Sequence, residues 1–486
     1  KVLGTPGEEP GADGGFEVEL TVLGPDEVAG WLAGLPEGRA GLAVQGSWGS
    51  GTGRIDALAI AAPGNTAAYL DMTTLTPADQ EALHAWLCDE SRPKAAHDAK
   101  GPLLALWAHG LDLRGLTCDT ALAAYLALPG QASFPLEDLA LRYLHRELRA
   151  TTEPDGQAAL FDDPTEDAAE NLAVRARAIR ELADALEAYL EPRGGIRLLR
   201  EVELPLQRVL AEMERTGIAA DRDHLLKLEA EFGAAVKQAV EEAHRVVGEQ
   251  FNLGSTKQLQ EILFVKLGLP KTKKIKTGYT TDADALAWLA TQTDHELPVI
   301  LLRHRDQTKL RTTVEGLIKE IGDDGRIHTT FNQTRAATGR LSSEKPNLQN
   351  IPIRTAEGRR IRQGFTVGEG YETLLTADYS QIELRIMAHL SGDESLIAAF
   401  ESGHDFHAAT AARVFDLPPD QVDGELRARI KAMNYGLAYG LSDFGLAGQL
   451  NIPVAEARAL KEEYFEEFGG VRDYLESVVA QARKDG

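Results

Sequence analysis

"TLLTADYSQIELRIMAHLSGD" (373–393) carries an apolar run into a single carboxylate, Asp378, and then passes into a helical pattern. The spacing predicts a strand ending at Asp378 and a helix starting a few residues later. A carboxylate at a strand end is well placed to hold a divalent cation. Enzymes that move phosphoryl groups with two cations ordinarily need at least two such carboxylates. Where the second such carboxylate stands is a question for the rest of the chain.

A length of 486 residues implies three domains or so, at roughly 150 residues each. With 43% hydrophobic and 26% charged residues, the composition is that of an ordinary globular protein. No apolar run approaches the ~18 residues of a membrane helix, so a membrane role is not expected. The opening "KVLGTPGEEPGADGG" (1–15) has no apolar signal core and reads as a linker, and a start at Lys1 is expected of an internal fragment. Cys88 and Cys118 are the only cysteines, in no metal or redox spacing, which points to a reducing, cytoplasmic setting. The net charge of −24 argues against a polyanionic partner until its distribution is read. Residues 1–200 hold 16 Lys and Arg against 31 Asp and Glu, and residues 363–486 hold 10 against 21. Between them, residues 257–276 hold 6 against 1, and residues 303–362 hold 13 against 7. A cationic belt between acidic ends suits a polyanion held in a groove, and a solvated basic face is the plainer reading.

Short strand-like runs ("FEVEL", "GLAVQ", "ALAIAA", "AAYLD") fill 16–72, and helical patterns follow from 78 to 148, which predicts one α/β domain. A polar loop (151–167) precedes a strong helix, and "EPRGG" (191–195) breaks that helix and marks a domain boundary. Residues 200–320 read as mostly helical, with one helix stopping at Gly217 and a longer one at about 221–248. "LPKTKKIKTGYTT" (269–281) places Lys273, Lys274 and Lys276 in a loop after that long helix. Such a loop at the tip of two helices could grip a phosphate backbone, or simply be a soluble loop.

"GSWGSGTGR" (46–54) is glycine-rich but lacks the Lys-Ser/Thr ending of a phosphate loop, so a hairpin is expected. "GHDFH" offers His404, Asp405 and His407 without an evident third metal ligand, which favours a helix-start cluster with one functional histidine. "RARIKAMNYGLAYG" (427–440) repeats Arg427, Lys431, Tyr435 and Tyr439 at intervals of four. On a helix these form one stripe with steps of ~6 Å, two cations and then two aromatics. A nucleoside triphosphate, charged at one end and flat at the other, fits that order, and an amphipathic packing helix is the alternative. "TRAATGRLSSEKPNLQNIPIR" (334–354) gathers Arg335, Arg340, Asn347, Gln349 and Asn350 with few large apolar residues. Such side chains can test duplex shape through minor-groove acceptors, or they can build a structured polar loop.

Three motifs, "TGRLSSEKPNLQNIPIR", "DYSQIELR" and "RIKAMNYGLAYG", resemble in order and spacing those of the family A DNA polymerases. The likeness extends over nearly the whole chain through "FNLGSTKQL", "KTGYTT" and "GRIHTTFNQT", and the composition is similar to that of actinobacterial proteins. The resemblance implies an α/β plus α+β multidomain fold: an RNase H-like exonuclease-type domain followed by a right-hand polymerase. After the linker 1–15, it places the exonuclease-like domain at 16–195, the thumb at 196–330, the first part of the palm at 331–395 and the fingers at 396–486. It implies 5′→3′ addition of deoxynucleoside triphosphates to a primer 3′-hydroxyl by a monomer on primer-template DNA, with two Mg2+ ions, in a cytoplasmic, nucleoid-associated setting.

By position, Asp378 matches the first catalytic carboxylate and Tyr379 a backbone carbonyl ligand of the metals. Glu383 matches the steric gate against a ribose 2′-hydroxyl. Gln381, His407, Arg427 and Lys431 match positions around the incoming triphosphate, with Lys431 also in the catalytic set. Tyr435 matches the position beside sugar and base, Tyr439 the end of the fingers helix at the template base, and Arg340 the minor-groove contact at the primer terminus.

Two departures follow. Proofreading relatives carry acids where this chain has Gln45 and Ser47 ("LAVQGSW"), Pro102 ("KAAHDAKGP") and Asn171 ("DAAEN"). Asp119 and Asp167 remain and cannot hold two metals, so loss of 3′→5′ proofreading is expected. The family's second catalytic carboxylate lies in a His-Asp-Glu motif that the sequence does not reach before "QARKDG", so this stretch alone is expected to bind primed DNA without extending it. The rival readings are a catalytically incomplete DNA-binding fragment, an exonuclease, and a single-subunit RNA polymerase, which Glu383 and the missing acids weigh against.

Overall fold

A computed structural model describes residues 14–149, 164–353, 355–401, 406–415, 417–450 and 452–485. Most of the polar loop 151–167 and the His404 and Asp405 part of "GHDFH" lie outside the described residues. The chain divides between Leu374 and Leu375 into two compact units.

In the larger unit, strands β1 (Glu19–Val22), β2 (Ala40–Gly49), β3 (Thr52–Ala61), β4 (Thr66–Asp71), β5 (Lys94–Ala96) and β6 (Leu116–Asp119) form one sheet in the order β1-β4-β3-β2-β5-β6. β2, β3 and β4 are mutually antiparallel, while β5 and β6 run parallel to β2. β2 and β3 meet across the turn of the glycine-rich "GSWGSGTGR", as expected. Leu58, Ala59 and Ile60 are fully buried because the sheet is covered on both faces. One cover carries Leu83, Leu87, Leu103 and Leu106, and the other is the helix Pro164–Leu190 with Ile179, Leu182 and Leu186. Burying each of these leucines contributes about 1.5–3 kcal/mol.

The 191–195 break is a short 3₁₀ turn closed by Gly194 at φ 71°. The helix Leu204–Thr216 then ends at Gly217, whose φ of 61° and close approach to the His328 ring exclude a side chain. This helix is partly inside out. It buries Gln207 and Glu214 beside Leu210 and Ala211, while Val209 and Met213 are exposed.

The helices Arg222–Val247 and Leu297–Lys319 pack along their length. Leu225, Leu228 and Phe232 meet Leu310, Val314 and Leu317 at one end, and Ala239, Ala243 and Val247 meet Leu301 and Leu263 at the other. The "LPKTKKIKTGYTT" loop folds as a two-stranded hairpin, Lys274–Ile275 with Gly278–Tyr279, and leaves Lys271, Lys273, Lys274 and Lys276 exposed.

The smaller unit is helical. Its core joins Leu384, Leu396, Phe406, Ile430, Met433, Leu437, Leu446, Leu460, Tyr464 and Phe468. Buried Asp393 ties its ends together by accepting from Leu396 N at 2.9 Å and Gly470 N at 2.9 Å. The strand expected before Asp378 does not form: residues 373–379 have no ladder partner, and Leu375 is 90% exposed. An extended segment gains strand stability only by hydrogen bonding a neighbour, and no described residue offers one.

Candidate active site

The stripe read from "RARIKAMNYGLAYG" lies on the helix Gly424–Ala438. Asp423 starts the helix, its carboxylate accepting from Leu426 N at 2.8 Å, and Gly440 at φ 72° follows its last turn. Ile430, Met433 and Leu437 seat one face in the helical core. The adjoining face presents Arg427, Lys431, Tyr435 and Tyr439, a run of ~18 Å at the helical rise. Lys431 and Tyr439 are exposed, and Arg427 and Tyr435 are half-buried.

Tyr435 is the meeting point. Burial pushes its phenol above the ordinary tyrosine range, and the negative charges of Glu383 and Asp378 push it further, with Tyr439 adding to the effect. The hydroxyl therefore stays a donor throughout the neutral range. Its ring lies 6.1 Å from that of His407 at a tilt of 50°. His407 comes from the helix Phe406–Val414 and is buried, with Nδ1 3.1 Å from the amide nitrogen of buried Asn434. The tautomer of the ring is tied to the orientation of that amide: an N–H donated to Nδ1 leaves the ring proton on Nε2.

Asp378 and Glu383 flank a sharp corner. Gln381 adopts φ 53° and ψ 41° at the cap of the helix Ile382–Ser391, whose first turn carries Glu383. Arg385 steadies this corner, donating to Ser380 O at 2.9 Å while its guanidinium lies 4.7 Å from the Phe400 ring centre. Phe400 stacks on Phe406 at 4.2 Å, and Phe406 meets His407 edge-on at 5.4 Å. A continuous chain of contacts thus runs from the corner after Asp378 to Tyr435. Arg385, Phe400, Phe406 and Asn434 in this chain were not singled out by sequence reasoning. Asn434 had a readable signal, being a polar residue on the i, i+3, i+4, i+7 face with Ile430, Met433 and Leu437.

Among the described residues no group of three or more His, Cys, Asp or Glu could by itself hold a metal ion. Asp378 and Tyr379 are both exposed, and a carboxylate and a backbone carbonyl are oxygen donors of the type Mg2+ takes.

The larger unit carries the polar loop. The strands Thr330–Asn332 and Ser342–Glu344 pair antiparallel, and 333–341 spans between them. Thr329 Oγ1 lies 2.7 Å from Ser343 Oγ and donates to Pro346 O at 2.8 Å, which fixes the base. Asn347 accepts from Gln349 N at 3.0 Å, and Gln349 donates to Leu341 O at 3.0 Å, so both side chains shape the loop itself. Arg335 pairs with Glu344 at 3.3 Å, and Arg335, Arg340 and Asn350 are exposed.

At the sheet, Gln45 and Ser47 are exposed on β2 beside a register shift, Pro102 is buried in the first turn of the helix Lys100–Ala108, and Asn171 is exposed. A cavity of ≈ 190 Å³ remains, lined mainly by apolar side chains with His97, Asp98 and Arg175. Asp119 is fully buried and accepts from Asp98 N, Ala99 N, Ala121 N, Leu122 N and Gln207 Nε2 at 2.6–3.3 Å. No helix among the described residues is long and apolar enough to cross a membrane.

Residues 222–486 match the family model described as DNA polymerase family A, and residues 54–182 match that of the DNA polymerase I ribonuclease H-like domain. A DNA polymerase I of Mycobacterium tuberculosis is 56% identical over 481 residues, covering 98% of this chain and 53% of the relative. The Bacillus subtilis DNA polymerase I is 42% identical over 411 residues, covering 84% and 46%. The chain thus spans about half the length of the curated relatives it matches. Among solved structures, the POL domain of Pol1 from M. smegmatis, in complex with DNA primer-template and dNTP, superposes with a TM-score of 0.89 at 55% identity, covering 96% of this chain and 79% of that one.

Proposed function

The chain belongs to DNA polymerase family A, and from that membership we propose that it carries the nucleotide-binding half of a template-directed DNA synthesis site. The protein extends a primer 3′-hydroxyl with deoxynucleoside triphosphates, acts as a monomer on primer-template DNA, and works at the nucleoid. The observation that carries this reading is the stripe from cations to aromatics on the helix Gly424–Ala438, with Tyr435 against the His407 ring and within electrostatic reach of Glu383 and Asp378.

In this reading 196–330 is the thumb, 331–395 the first part of the palm and 396–486 the fingers. Arg427, Lys431 and the Nε2–H of His407 hold the triphosphate, and Gln381 borders it. Tyr435 lies beside the sugar, Tyr439 abuts the template base, and Glu383 occupies the space a 2′-hydroxyl would need. Lys431 is placed to neutralise the departing pyrophosphate. Lys273, Lys274 and Lys276 take backbone phosphates, and Arg340 and Asn350 test the minor groove beside the primer terminus, on a loop shaped by Asn347 and Gln349. Asp378 and the Tyr379 carbonyl would be among the ligands for two Mg2+ ions, which when bound would supply activation of the 3′-hydroxyl and charge for the leaving oxygens. Fingers closure onto a correct pair completes the site. The domain at 16–195 does not proofread.

Primer extension by the full-length protein tests this. Deoxynucleotides should be added and ribonucleotides refused, and Glu383→Ala should admit ribonucleotides. Absence of templated extension, or equal use of both sugars by the unaltered protein, would overturn the proposal.

A further inference from the structure

The exonuclease-like domain buries a lysine two residues before Pro102. Lys100 opens the helix that contains Pro102, and it is 8% exposed. Its ammonium is ion-paired with Glu214, itself 3% exposed on the helix Leu204–Thr216, and donates to Phe331 O at 2.5 Å. The same Glu214 oxygen accepts from Phe331 N at 2.7 Å. One buried ion pair therefore takes both backbone groups of a single residue. That residue is the middle of the strand Thr330–Asn332, opposite Ser343.

Two further bonds clamp the segment that follows. Gln333 donates to the Glu203 carboxylate at 2.8 Å, and the Tyr125 hydroxyl of the exonuclease-like domain donates to Ala336 O at 2.6 Å. The loop carrying Arg335 and Arg340 is thus held at 331, 333 and 336. A buried ion pair adds little net stability over apolar residues of the same volume. An apolar pair here would leave the Phe331 N–H and C=O without partners, which is costly for buried backbone. The chemistry is that of a bracket for one strand edge.

We propose that Lys100 and Tyr125 are positioning residues for the primer-template site: the exonuclease-like domain serves synthesis by fixing the 330–344 loop through Lys100–Glu214–Phe331 and Tyr125–Ala336. This rests on the DNA-synthesis reading above, which assigns that loop to the primer terminus.

The test uses the full-length protein with primer-template and a single correct dNTP, alongside equilibrium binding of the same DNA without dNTP. Lys100→Met should raise KM for primer-template about tenfold and weaken discrimination against a mismatched 3′ terminus, with KM for dNTP unchanged. Adding Glu214→Gln to that variant should recover most of the loss, because an amide can serve both Phe331 groups without a buried charge. Tyr125→Phe removes one hydroxyl from an otherwise unchanged ring. It should raise the primer-template KM two- to fivefold at an unaltered thermal midpoint, which keeps the test decisive if Lys100→Met folds poorly. Tyr125→Phe matching wild type in primer-template KM and mismatch discrimination, with any folded Lys100→Met doing the same, would overturn the proposal. An unaltered protein that binds primed DNA but never extends it refutes the synthesis reading, and the binding arm then still reports on the bracket.

Discussion

Asp119 and Asp378 each close an apolar run shortly before a helix, yet they sit in opposite conditions. Asp119 is wholly buried, and five N–H donors converge on it. Asp378 is exposed and accepts no hydrogen bond among the described residues. A carboxylate whose acceptor sites are all filled by its own chain is a structural cap, because another ligand would have to displace those donors. One left open keeps its capacity for a cation or substrate. The same contrast separates the groups around them: Gln207 beside Asp119 is buried and bonded, while Lys431, Glu383 and Tyr439 are exposed.

The sharpest way to break this contrast is to neutralise each aspartate in the full-length protein. Asp378→Asn should lower single-nucleotide incorporation by about 10³-fold or more, as expected when a metal-ligand charge worth several kcal/mol is lost. Its thermal midpoint should stay at the wild-type value, since an exposed side chain without partners contributes little to stability. Asp119→Asn should do the reverse, costing about 1–3 kcal/mol in denaturant unfolding while folded molecules keep their incorporation rate. A destabilised Asp378→Asn, or a stable but inactive Asp119→Asn, would collapse the distinction.

The region at the sheet should also be silent as a nuclease. Mismatched 3′ ends incubated with Mg2+ and no nucleotide should persist at the rate of a protein-free control. Measurable trimming by pure protein would mean that Gln45, Ser47, Pro102 and Asn171 do not mark a lost site.

Tyr435 sharpens the open side. Its hydroxyl, kept protonated by burial and by the nearby carboxylates, can replace a hydrogen bond that a sugar lacking its 3′-hydroxyl leaves unmade. Tyr435→Phe should raise discrimination against dideoxynucleotides about fivefold, in line with ~1 kcal/mol for one hydrogen bond. Competition between the two substrates at pH 7 and pH 9 should give the same ratio for the wild type.

The smallest effect concerns pH. Burial pushes the Asp112 carboxyl up, but bonds from Arg208, Trp107, Leu113 N and Arg114 outweigh this and hold it well below the usual carboxylate range. A depressed folded-state pKa stabilises above the unfolded value near 4 and is lost as pH falls through the folded one. Asp112→Asn should therefore lower the melting temperature at pH 7, and the gap to wild type should narrow steadily below pH 4. A gap independent of pH would locate the effect in packing.

Much of this organisation was legible in the sequence because it rests on local pattern. The helix stops at Gly217 and Gly248, the hairpin at 46–54 and the stripe from Arg427 to Tyr439 each follow from spacing, turn chemistry or charge within a dozen residues. The expected strand before Asp378 did not form, since a strand depends on a neighbour that local pattern cannot supply. The roles of Asn347 and Gln349 in shaping their own loop were hidden for a related reason: a polar side chain reads the same whether its partner is a ligand or the next turn. The links Asp119–Gln207 and Lys100–Glu214 span 88 and 114 residues, and no periodicity encodes pairings of that range.

The partly inverted helix Leu204–Thr216 has a consequence for how the larger unit comes apart. Gln207 and Glu214 find their partners in the exonuclease-like domain, so the chemical boundary at 191–195 is no seam in energy. Severing the chain there would wet a face built to be dry and strip a carboxylate of its counter-charge. The domain is therefore entrenched: Gln45, Ser47 and Asn171 are exposed, while buried Lys100 is a debt that deletion would call in. Calorimetrically, such a unit should melt as one cooperative block across that boundary rather than shed the exonuclease-like domain first.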